Sequence, residues 1–163
     1  MSRDYTLRLI EQTAAMLARL LARKKAGQIA EAQSEADTLA VQNIGLTLAE
    51  VKCLSPESVA QLLEKAGAMR TIRAITLAEL LLFDAELHEA DKIPSQSLAN
   101  YVHAFCLLAD EVDKLSPDEQ AFYRIKLSLL AGRLCDLREH PYLKTRFASL
   151  PAAGMDTKPP RPA

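Results

Sequence analysis

Histidine beside carboxylates is the first chemistry to look for in this chain, which has three histidines in 163 residues: His88, His103 and His140. Asp84 stands four residues before His88 and Asp91 three residues after it. On a helix that spacing gathers all three on one face, and two carboxylates with an imidazole can ligate a divalent ion. The same residues also read as a solvated acidic stripe that includes a histidine. The paired Glu-x-x-His segments of di-iron bundles are missing. Asp84, His88 and Asp91 are therefore a weak metal candidate, and neither metal nor cofactor is expected. His103, with Asn100 and Asp110, falls opposite the apolar positions of its segment and is expected at the surface. His140 closes a helix before Pro141, where an imidazolium suits the dipole. It is an i, i+4 neighbour of Asp136, but dyad chemistry there would need a nucleophile such as Cys135 alongside.

The other signatures of catalysis are missing. The chain holds no GxxxxGK[ST] or GxGxxG phosphate loop, no GxSxG and no HExxH. No enzyme activity is expected.

The elements that must position these residues are helical. Hydrophobic residues make up 49% and charged residues 25%, a globular balance on a chain long enough for one core. Leu and Ala dominate while Gly, β-branched and aromatic residues are few, which favours helix over sheet. Net charge is −1, so no basic field is available to hold nucleic acid. The start, MSRDYTLRLIEQ, is amphipathic rather than a secretory leader, and no stretch reaches the ~18 apolar residues of a membrane span. A cytoplasmic location follows as an expectation. Cys53, Cys106 and Cys135 form no CxxC pair and are expected to be buried and reduced.

Apolar periodicity gives the helices in order. The first runs from about Asp4 to Lys25, with Leu7, Ile10, Ala14, Leu17 and Leu21 on one face and Arg8, Gln12, Arg19 and Arg23 opposite. Gly27 can supply its left-handed stop. The second, from about Gln28 to Asn43, carries a stripe of Ile29, Ala32, Ala36, Leu39 and Ala40. With so short a link, the pair must form an antiparallel hairpin over 4–43. An insert over 46–67 contains short helices, including one capped by Ser55 and Pro56 and stopped at Gly67. Arg70 to Ala90 is apolar almost all round and is expected at the centre. Helices over 96–115 and 117–139 follow, the second started by Ser116-Pro117. The single domain is expected to span 1–140, followed by a Pro-rich flexible tail over 141–163. Pro159-Pro160-Arg161-Pro162 in that tail could meet an SH3-like groove, although such strings are common in plain termini.

The segment Gly27-Gln28-Ile29-Ala30-Glu31-Ala32 resembles the turn and second-helix start of tetratricopeptide repeats. There Gly turns the chain and a small residue, here Ala32, lets the second helix nest on the first. A second copy at the 34-residue period is not found. DYTLRLIEQ followed by LARKKAGQIAEA also resembles an uncharacterised bacterial family of all-helical, tetratricopeptide-repeat-like proteins. The likeness covers about the first 35 residues, and beyond them only the order of helices. The resemblance implies an all-α fold of antiparallel hairpins in a right-handed array, with about six or seven helices and no sheet. It also implies an interaction role, and brings no catalytic residue with it.

Three classes of function follow. The first is a non-catalytic module or scaffold for an unknown protein or peptide. Arg8, Arg19 and Arg23 are its candidate contacts, because residues 1–27 carry six basic side chains against two acidic ones, a net +4. A basic amphipathic helix can also lie on an anionic membrane, but Gly27 leads straight into a partner helix, so packing into the domain is the expectation. The second class is a homodimer built on the first helix or on the wide seam of 70–90, with the metal protein third.

Overall fold

A computed structural model describes the backbone of residues 3–90 and 94–150 and the side chains of 11–89 and 97–150. Eight α-helices are present among the described residues, with no strand, so the all-α expectation holds with one helix more than foreseen. They are α1 (Arg3–Lys25), α2 (Ile29–Ile44), α3 (Leu48–Lys52), α4 (Pro56–Glu64), α5 (Arg70–Ala90), α6 (Pro94–Glu111), α7 (Pro117–Arg133) and α8 (Lys144–Ser149). None of them is long and apolar enough to cross a membrane.

Gly27 ends α1 with φ +77°. Its amide donates to the Lys24 carbonyl at 3.1 Å and the next amide, Gln28, to Arg23 at 2.9 Å. That pair of reversed bonds is a Schellman cap, which needs the left-handed conformation that Gly adopts without a Cβ penalty. The chain re-enters helix at Ile29, and α2 presents Ala32, Ala36 and Ala40, all fully buried, to α1 and α5. Methyl-sized side chains at i, i+4 and i+8 allow close approach.

Thr47 caps α3 in a reciprocal box with Glu50, and Ser55 with Pro56 starts α4. Gly67 opens a single 3-10 turn leading directly into α5. α5 is central as its composition predicts: it packs against α1, α2, α3, α4 and α6. Ala74, Leu77, Ala78, Leu80, Leu81 and Ala85 are fully buried on it. Its closest neighbour is α6, whose Ala104, Phe105 and Leu108 complete the core, and α6 in turn carries α7.

Three expectations are corrected. The last long helix stops at Arg133 rather than near Glu139, and a 3-10 turn over Cys135–Leu137 follows. The domain does not end at 140. Leu143 is fully buried, and α8 docks on α6 by stacking Phe147 on Phe105, ring centroids 4.9 Å apart. Residues 151–163, with the Pro159–Pro162 string, lie outside the described residues. Cys53 and Cys135 are exposed; Cys106 alone is buried, where burial raises its thiol to about 12.

Candidate functional site

α3 is five residues long and ends on Lys52, which reaches toward α5. Lys52 Nζ lies 2.7 Å from Asp84 Oδ2, and His88 Nε2 lies 3.2 Å from the same oxygen. The ammonium and the imidazole nitrogen are 3.3 Å apart. With Nε2 protonated, both groups donate to one carboxylate oxygen; with Nδ1 protonated, Nε2 accepts from the ammonium. Either way Lys52 supplies the positive charge that the spacing of Asp84 and His88 would otherwise offer to a metal.

The i, i+4 geometry inferred from sequence is therefore real, but the stripe is not solvated. Asp84 is 4% exposed and Lys52 12%, because α3 and α6 pack over this length of α5. Asp91 lies outside the described residues. Among the described residues no group of three His, Cys, Asp or Glu side chains is arranged to hold a metal.

His103 is also buried, at 4% exposure, against the expectation of a surface position, and Asn100 beside it is fully buried. The 3.6-residue period does place both opposite the main apolar seam. What covers His103 is the α3–α4 segment, whose position cannot be read from the periodicity of α6. His103 Nδ1 has no hydrogen-bond partner. With Arg70, Cys106, Asp110 and Glu111 it lines a crevice of ≈ 10 Å³ between α4 and α6, room for about one water molecule. Burial lowers the His103 pKa below the ordinary 6.5, outweighing the nearby carbonyls of Leu54 and Lys52. A histidine held neutral in the fold takes up its proton more readily when unfolded, so its contribution is complete above about pH 6.5 and is lost as pH falls below that value. Stability should fall by up to about 1.4 kcal/mol per pH unit as His103 charges only in the unfolded chain. Urea midpoints between pH 7.5 and 5 check this, and a His103→Gln variant should show a flatter profile.

Two polar clusters were not foreseen. Glu111, 2% exposed at the end of α6, accepts from Arg70 Nε at 3.0 Å and Thr71 Oγ1 at 2.9 Å, and pairs with Lys114. Glu89 accepts from Tyr101 Oη at 2.6 Å and Arg133 Nη1 at 2.9 Å. The tyrosine's hydrogen bond, opposed by burial and helped by Arg133, lowers the Glu89 pKa; burial first and then Glu89 raise Tyr101 to about 12. A carboxylate at an otherwise apolar helix position is the one sequence sign of Glu111. Nothing local marks Arg70 and Thr71, 41 and 40 residues away.

The basic face of α1 is partly answered within the domain. Arg19 pairs with Glu35 at 2.6 Å, and Arg23 Nε sits 2.6 Å from the other Glu35 oxygen in a contact too bent for a hydrogen bond. Lys24 pairs with Glu86. The Arg8 side chain lies outside those described. His140 is exposed and accepts through Nδ1 from its neighbour, the Tyr142 amide, while Cys135 faces Asp136. The Asp136, His140 and Cys135 combination does not assemble as a dyad with a nucleophile.

Among the described residues the most exposed large apolar side chains lie on α7. Leu127, Leu130 and Leu134, at spacings of three and four, are buried. On the other side Phe122, Ile125 and Leu129 are 53%, 64% and 67% exposed. Lys126, between them, lies over the Phe122 ring and is tied to Glu79 of α5. No family model, curated protein or solved structure matches this chain.

Proposed function

We propose that the protein is a non-catalytic helical interaction module that binds a partner on the outer face of α7. The observation that carries this reading is the row Phe122, Ile125 and Leu129, spaced three and four residues apart and more than half exposed. Single exposed apolar residues are ordinary, but a contiguous row on one helix is the mark of a surface that is covered in use. The order of packing supports it. α1 and α2 form a hairpin, α5 packs on both and forms the next hairpin with α6, and α7 packs on α6. That succession is the one a tetratricopeptide-like array would have, with α7 opening a third hairpin whose second helix is not among the described residues. The Gly27–Ala32 junction agrees with it. α7 then has one side on the core and one side waiting for a helix.

Affinity capture from an extract of the source cells tests this, with Ile125→Asp as the control. The wild type should hold a stoichiometric protein, which includes further copies of this chain, and the variant should retain less than about one tenth of it. Ile125 is so exposed that the change should alter stability by no more than about 0.5 kcal/mol. Equal capture by both chains would reject α7 as the binding face.

A further inference from the structure

The ring of His103 is enclosed by one short segment of chain. Its Nδ1 has no hydrogen-bond partner, so the other ring nitrogen donates to the carbonyls of Leu54 and Lys52, where α3 ends. Pro56, Val59, Ala60 and Leu63 of α4 close the crevice that the ring lines. A second proton must go to Nδ1, and the carboxylates around the crevice are already committed. On α6, Asp110 takes two bonds of 3.0 Å from Arg146, and Glu111 takes those of Arg70 and Thr71. On α4, Glu57 pairs with the same Arg146. Arg146 of α8 and Arg70 of α5 add positive charge, and burial keeps Cys106 a thiol. An imidazolium in this place would be a buried charge without a counterion.

The cover is a separable piece. Residues 46–67 are bracketed by Gly45 and Gly67, whose φ of +82° and +56° lie in the left-handed region. α5 packs most extensively on α6, so that pair stays together without the segment. The segment itself contributes Leu48, Val51, Val59 and Leu63 to the core, and Lys52 ties it to Asp84 and His88.

We propose that residues 46–67 form a flap that acid releases from α6, with His103 as its trigger. While the flap is closed, burial holds the His103 pKa below 6.5; lifting the flap returns the ring to water. Above about pH 6.5 the ring is neutral in both states, and opening does not depend on its titration. Below that value only the open state takes the proton readily, so opening gains up to about tenfold per pH unit. The open form remains a minority, because four aliphatic side chains must leave the core. None of this depends on what α7 binds.

Native-state hydrogen exchange between pH 7.5 and 5, corrected for the intrinsic rate, is the test. At each pH the amides of α4 should open at least about tenfold more often than those of α5 and α6. That opening should depend more weakly on urea, the mark of local release. It should rise by up to about tenfold per unit below about pH 6.5. His103→Gln, which keeps a polar side chain that does not titrate, should lose more than half of the rise. Amides of α4 that open only together with those of α5 and α6 overturn the proposal. So does an opening indifferent to pH, or a His103→Gln chain that keeps half the rise or more. Should that variant fail to fold, the two comparisons within the wild type decide.

Discussion

Asp84→Ala should lower stability by about 3 kcal/mol, read as an earlier urea midpoint at unchanged denaturant slope. The size comes from what the substitution leaves behind rather than from the contact it removes. Lys52 Nζ would remain in a site 12% exposed with only His88 Nε2, 3.3 Å away, as a neighbour. An ammonium deprived of its carboxylate in so dry a place costs several times what an exposed pair contributes. The companion double variant, Lys52→Met with Asp84→Leu, separates these meanings. Replacing both partners by apolar groups of similar size leaves no charge behind, so most of the loss should be recovered. A cost of Asp84→Ala near that of a surface change would show that water reaches the cluster.

Phe105→Ala is expected to cost about 3–5 kcal/mol by the same measurement. Its ring is fully buried on α6 and stacks on Phe147, tilted by 30°. Removing it opens a void at the junction of the core with α8, and neighbouring helices can collapse into such a void only in part. Phe122→Ala removes the same atoms from an exposed position on α7 and should cost less than about 1 kcal/mol. The contrast between two phenylalanines isolates burial from chemistry.

Much of this fold can be read before any coordinates. Helix type follows from period, and the Schellman stop at Gly27, the Ser55-Pro56 start and the central place of α5 follow from composition and capping rules. α8 escapes such a reading because a six-residue helix has one turn of evidence, with Phe147 its only buried side chain and Leu143 buried just before it. Running α7 on to Glu139 has the same cause: Leu134 and Leu137 stay in phase with Leu127 and Leu130 across a 3-10 turn. The candidate site was half legible. Asp84 and His88 share a face because helical spacing is local information. Lys52, 32 residues away from Asp84, joins them only through the packing of α3, and His103 is buried only because that segment lies over it. The open row on α7 was present in the periodicity as a second apolar stripe, but which of two stripes faces the core is a tertiary choice.

The acids of α5 have a consequence that burial alone does not convey. Glu79 pairs with Lys126 of α7, Asp84 with Lys52 of α3, Glu86 with Lys24 of α1, and Glu89 with Arg133 of α7. A seam of Leu and Ala would accept a neighbouring helix slid along by one turn, about 5.4 Å, with little change in buried area. A charged pair would not survive that slide. α1, α3 and α7 thus each have one address on α5, written in charge over a surface that would otherwise read the same at every turn.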